Sequence, residues 1–125
     1  MDITPIIPAG RQVIEAYGDG GFRISGTRHE GSVLVLPSRT LHWPIGAVNE
    51  LTFASLEAIG GPEGTVELLL VGCGARAEMI APDVRKRLRE RGIVTEIMDT
   101  GAACRTYNVL LSEGRQVAAA LIAVE

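Results

Sequence analysis

The chain is poor in the residues that usually build a chemical site. Two cysteines and two histidines fall at positions 73, 104, 29 and 42 of 125 residues, too scattered for the close pairs of a zinc ribbon or a chelating helix, so no metal is expected. Cys73 and Cys104 each sit among apolar neighbours, which suits two small buried hydrophobes in a reducing compartment rather than a secreted disulfide framework. The Gly-x-Ser-x-Gly elbow of serine hydrolases is missing. So is any long apolar run: Val117 to Val124 falls far short of the roughly 20 residues that cross a bilayer as a helix and reads as a buried strand. The amino-terminal Met1 to Pro5 opens neither a basic and apolar signal nor an Arg- and Ser-rich transit pattern, so a cytoplasmic location is expected.

Positive charge is also scarce. The formal net charge is -3, which argues against a nucleic-acid module, normally basic over the whole domain. One stretch departs from this balance: Arg85, Lys86, Arg87, Arg89 and Arg91 stand against only Asp83 and Glu90. A helix there has a positive surface, either a plain solvated face or a dock for an acidic partner or anionic membrane surface.

What is present is enough for one domain spanning residues 1–125, since a chain of this length buries roughly two thirds of its unfolded surface. The first half reads as antiparallel β structure: Gln12 to Tyr17, Phe22 to Ser25 and Ser32 to Leu36 are β-prone, separated by Gly18 to Gly21 and by a charged connection, Thr27 to Gly31. Thr40 to Trp43 is a further extended piece, ended by Pro44. Thr52 can cap a short helix to Ile59, stapled by Leu51 and Leu56 and stopped at Gly60. From Val66 the rhythm becomes strand, helix, strand, helix, strand: Val66 to Val71, Pro82 to Arg91, Ile93 to Met98, about Ala102 to Ser112, and Val117 to Val124. Pro82 suits a first helical position and Gly92 a stop, and the alternation implies a parallel unit with right-handed crossovers. The expected fold is α/β with α+β character: a three-layer β/β/α domain, with a small antiparallel layer on a mixed sheet whose other face carries the helices.

Two regions are candidates for binding. Gly72-Cys73-Gly74-Ala75-Arg76-Ala77 formally matches the Gly-x-Gly-x-x-Gly/Ala dinucleotide turn, with Glu96 and Asp99 roughly 20 residues on, where a ribose-binding acid would stand. Pro82, however, starts the next helix several residues too late to present its amino end to a pyrophosphate, so a purely structural glycine turn is the competing reading. Met98 to Arg115 concentrates polar side chains between apolar runs. Asp99 and Thr100 are natural helix caps, and Glu113 with Arg105 or Arg115 can form a charge pair. Alternatively Arg105, Tyr107, Asn108, Glu113 and Arg115 line a ligand cleft above the strand ends, with Gly72, Gly74 and Asp99. Cys104, beside Arg105 in the first turn of that helix, could be an activated thiol or a core residue. Trp43, the single tryptophan, is an interaction anchor if exposed and a core plug if buried. No catalytic constellation emerges.

The strand Ser-Val-Leu-Val-Leu-Pro, Trp43, Glu-Leu-Leu-Leu-Val-Gly-Cys-Gly, the Pro82 helix ending in Gly-Ile-Val, and Met-Asp-Thr-Gly-Ala-Ala-Cys-Arg-Thr-Tyr-Asn-Val-Leu-Leu-Ser-Glu-Gly-Arg occur in an order that resembles the Mth938-like domain family of unknown function. That family includes a mitochondrial respiratory complex I assembly factor and an adipogenesis-associated protein. The resemblance spans nearly the whole chain and implies the same three-layer fold. It also implies a noncatalytic interaction module supporting assembly of a membrane respiratory complex, without a cofactor, in a bacterial cytoplasm and at most peripheral to the inner membrane. Its protein partner, a respiratory-complex subunit or another assembly factor, would be met by Trp43, Arg85, Lys86, Arg87 and Arg89. The alternative is a small-molecule or nucleotide-binding protein or enzyme using the Gly72–Ala77 turn and the polar last helix.

Overall fold

The computed structural model describes residues 10–59 and 66–125; Met1 to Pro5 and the stop at Gly60 lie outside them. Two-residue turns organise the first half. Asp19 and Gly20 have φ of 53° and 77°, and Ser25 and Gly26 have φ of 46° and 84°. Consecutive left-handed residues of this kind match the right-handed twist of paired strands, so the chain folds back twice: β1 (Ile14–Gly18), β2 (Gly21–Ile24) and β3 (Thr27–Glu30) form an antiparallel three-stranded sheet. β3 corrects the expected charged connection. It is polar along its length because it is mostly exposed, with Arg28 Nε donating to Glu30 Oε1 at 2.8 Å.

β4 (Val33–Val35) and β5 (Thr40–His42) begin a second sheet, which β6 (Leu68–Gly72), β7 (Val94–Met98) and β8 (Val117–Leu121) complete in the order β5-β4-β8-β6-β7. β6 runs parallel to β7 and β8, while β4 is antiparallel to β5 and β8. The expected Thr52 helix is not formed. Residues 48–59 instead hold two three-residue 3-10 turns, Val48–Glu50 and Ala54–Leu56. Thr52 Oγ1 accepts from Ser55 N while Ser55 Oγ donates back to Thr52 O at 2.7 Å, a local closure that competes with helix propagation in a segment too short to recover the nucleation penalty.

The helices α1 (Pro82–Glu90) and α2 (Thr100–Ser112) lie on opposite faces of the large sheet. Val84 and Leu88 of α1 join Trp43, Leu69, Val71, Ala118 and Ala120 in one core cluster; Ala103, Cys104, Tyr107 and Leu111 of α2 join Ile14, Phe22, Val33, Leu70, Ala119 and Leu121 in the other. The expectation that both helices share the face opposite the small sheet therefore fails for α2. The strand order explains why: β6 to β7 steps one way across the sheet and β7 to β8 steps back, and two right-handed crossovers stepping in opposite directions must use opposite faces. β8, Val-Ala-Ala-Ala-Leu, is buried throughout, and its small side chains leave room for Trp43 on one side and Tyr107 on the other.

Candidate functional site

The Gly72–Ala77 turn packs against the amino end of α2, not α1. A Cβ on Gly72 would stand 3.0 Å from both Thr100 Cα and Leu121 Cδ2, so only glycine admits this approach. Gly74 has φ of +97°. Thr100 Oγ1 accepts from Gly74 N at 2.9 Å and donates to Ile122 O at 2.7 Å, while Thr100 N donates to Gly74 O. A phosphate-cradling turn needs open amides; here the Gly74 amide is closed by Thr100 and both glycines are buried. The turn is a joint between three strand ends and α2. An open cleft of about 470 Å³ lies just beyond it, lined by Ala75, Arg76, Ala77 and Glu78.

Asp99 caps α2, its Oδ1 accepting from Ala102 N at 2.8 Å. The polar residues beyond it do not converge on a cleft. Tyr107 is fully buried and its hydroxyl donates to Gln12 O at 2.9 Å; burial pushes its phenol up from the usual value. Asn108 is buried too, its Nδ2 donating to Ile14 O at 2.7 Å and its Oδ1 accepting from Ile14 N at 3.2 Å. Asn108 clamps β1 to α2, and Tyr107 holds the segment just before β1. Arg105 is exposed and donates from Nη1 to Tyr17 Oη at 2.9 Å, over Gly101, where a Cβ would meet the Tyr17 hydroxyl at 2.8 Å. Glu113 and Arg115 are exposed beyond the far end of the helix. Cys104 has no exposed surface, and desolvation pushes its thiol up to about 12 against a weaker opposing pull from Arg105. A thiol so placed is not a nucleophile near neutral pH.

Trp43 belongs to the core. It is 1% exposed and its indole N–H donates to Ser55 O at 3.0 Å, so its side chain presents nothing to a partner. The cationic helix does stand at the surface. Its inward stripe of Val84 and Leu88 leaves Lys86, Arg87 and Arg89 exposed and Arg85 half-buried. Arg87 Nε lies 3.5 Å from Asp83 Oδ2, and the Arg87 and Arg91 guanidinium carbons stand 5.3 and 4.7 Å from the Phe53 ring centroid. Such contacts contribute about 0.5–1 kcal/mol each at exposed sites and hold two cations in place. Arg85 Nη2 reaches Thr95 O at 3.0 Å. Among the described residues no ion pair engages Lys86 or Arg89. Sequence reasoning missed Thr100 as a joint, Tyr17, and Phe53 beneath the arginines, since each depends on contacts between distant segments.

The fold has close counterparts. The chain is 38% identical over 109 residues to the protein named NADH dehydrogenase [ubiquinone] 1 alpha subcomplex assembly factor 3 of Xenopus tropicalis, covering 87% of this chain and 60% of that one. It thus spans about three fifths of that relative's length. A crystal structure described as an outer membrane protein from Bartonella henselae superposes with a TM-score of 0.83 at 38% identity, covering 96% of this chain and 100% of that one. The solution structure of a Bordetella pertussis protein described as a Mth938-like domain gives 0.81 at 28% identity, covering 98% and 92%. Residues 14–122, from β1 through the close of β8, match the model of the protein family of unknown function DUF498/DUF598, and the chain belongs to that family.

Proposed function

We propose that this protein is a noncatalytic interaction module of the assembly-factor kind, supporting assembly of a membrane respiratory complex, and that α1 is its contact surface. The observation that carries the choice of surface is the charge distribution: Arg85, Lys86, Arg87 and Arg89 crowd one helix of a chain whose net charge is -3. Phe53 and Asp83 restrain Arg87, so part of the side-chain entropy is already lost before a partner arrives. The relatives named as complex I assembly factors supply the class of function. The partner presents an acidic surface, as a respiratory-complex subunit or another assembly factor, and long-range attraction speeds their encounter. Contact with the bilayer is at most peripheral; no helix among the described residues is long and apolar enough to cross it.

The test is affinity purification of the tagged chain from its native host, beside a variant carrying Arg85→Glu, Arg87→Glu and Arg89→Glu. Recovery of respiratory-complex subunits or assembly proteins is expected with the parent and at least tenfold less with the variant. Equal recovery by both, or unchanged complex I levels in a deletion strain, would refute the proposal.

A further inference from the structure

β7 ends the five-stranded sheet, so no strand covers its outer edge among the described residues. Its inner edge is fixed by β6: Val94 N donates to Glu67 O and Met98 O accepts from Cys73 N, both at 2.9 Å. Successive residues of an extended strand turn their backbone groups to opposite sides, so the N–H and C=O of Thr95 and Ile97 point outward. Among the described residues only one of these four has a side-chain partner, Thr95 O, which accepts from Arg85 Nη2. Beside this edge lies a recess of about 190 Å³ lined by Arg85, Arg89, Ile93, Val94 and Thr95. Thr95 is 4% exposed, yet its Oγ1 has no hydrogen-bond partner. Val94, one residue away, is 59% exposed although apolar.

We infer that the outer edge of β7 takes up an extended segment of the protein partner, with an Asp or Glu side chain of that segment entering the recess between Arg85 and Arg89. This rests on the reading of α1 as the contact face and names its binding mode. Each feature of the edge asks for something such a strand supplies. The outward amide groups need alternating donors and acceptors, as in strand addition generally. The two guanidinium groups select a carboxylate, which also gives the Thr95 hydroxyl an acceptor. Val94 needs apolar cover. When the incoming strand's N–H takes Thr95 O, Arg85 is released to the carboxylate, so the guanidinium that blocks the edge in the free protein becomes part of the bound contact. A second copy of this chain does not fit: pairing two β7 edges about a twofold axis normal to the sheet sets two cationic α1 helices side by side. A lipid surface offers charge without the backbone groups.

The experiment uses the full chain in its native host, with a benzophenone amino acid at position 94 or, as control, in place of Met79, which is 76% exposed on the loop after β6. Irradiation is expected to give an adduct at position 94 and none at 79, mapping to a partner segment with an Asp or Glu within two residues. Arg89→Glu should lower its yield at least tenfold. In the purified complex, the Ile97 amide should exchange its hydrogen at least tenfold more slowly than in the free protein. If charge reversal on α1 abolishes partner recovery while position 94 gives no adduct or Ile97 exchange is unchanged, strand addition is wrong and the contact face stands. If recovery is insensitive to charge reversal, both fall.

Discussion

Replacing Asn108 with Ala tests the claim that its side chain helps fasten the small sheet to α2. β1 is the edge of that sheet, and its register shifts between Ile14 and Ala16. Among the described residues no strand lies beside the outward N–H and C=O of Ile14, and the Asn108 amide bonds both. Truncation leaves two buried neutral groups without partners; at about 1–3 kcal/mol for each such group, and taking the lower half of the range because β1 can yield toward solvent, the expected loss is about 3 kcal/mol. For a domain of this size that lowers Tm by about 12 °C, at roughly 4 °C per kcal/mol. Asn108→Asp separates the two bonds. The carboxylate still accepts from Ile14 N but repels Ile14 O, whereas the protonated acid donates to it. The acid's folded pKa is therefore raised, the folded state binds more protons than the unfolded chain, and stability falls as pH rises through the interval above the ordinary carboxylate value. Urea unfolding followed by circular dichroism at pH 4 and pH 8 measures both effects. An Asn108→Ala protein within 1 kcal/mol of the parent, or an Asn108→Asp protein with no added pH dependence, would show that the amide does not hold β1.

Gly72→Ala drives a methyl group against Thr100 Cα and Leu121 Cδ2; overpacking of this kind costs about 1–3 kcal/mol, and a melting curve matching the parent would contradict the close approach. Cys104, with its thiol pushed up to about 12, should resist alkylation at pH 8 until the protein unfolds, and labelling at the rate of a free thiol would place it at the surface. Because burial raises both Cys104 and Tyr107 in the folded state, the native protein holds protons the unfolded chain releases, so stability falls as pH rises above about 9, the ordinary thiol value; a flat denaturation midpoint from pH 8 to 11 would contradict this. Trp43→Phe removes the bond to Ser55 O and leaves a void, and should destabilise by about 2 kcal/mol, while the parent's tryptophan emission should resist acrylamide quenching until unfolding.

The second half of the fold was legible because its signals are local. Pro82 and Gly92 bracket α1, Asp99 caps α2, and apolar runs mark β6 and β8. β3 was missed because Thr27 to Glu30 carries its charges on open faces, where hydrophobic alternation is absent, although the two-residue turns at Asp19-Gly20 and Ser25-Gly26 were there to be seen. The Thr52 segment showed a cap and staple, but the Thr52–Ser55 closure ended it after one turn. At the candidate site, composition marked the polar density of α2 and left open whether it is a structural network or the lining of a cleft. Whether Tyr107 and Asn108 meet a ligand or the backbone of Gln12 and Ile14 depends on which segment crosses the helix, and that is decided by the order in which strands enter the sheet. The basic run on α1 was visible directly, whereas Phe53 and the open side of β7 were not.

The central position of β8 has a consequence for synthesis. Val33, Leu34 and Val35 of β4 pair with Leu121, Ala120 and Ala119, so β4 leaves the ribosome long before its inner neighbour has been translated. Until then the β4–β5 pair and the β6–β7 pair have nothing to join them, and two apolar strand edges wait unpaired. Long-range pairing of this kind is slow and exposes such edges to misassembly. A chaperone that shields nascent β structure should therefore matter more to the yield of this protein than to that of a helical bundle of equal length.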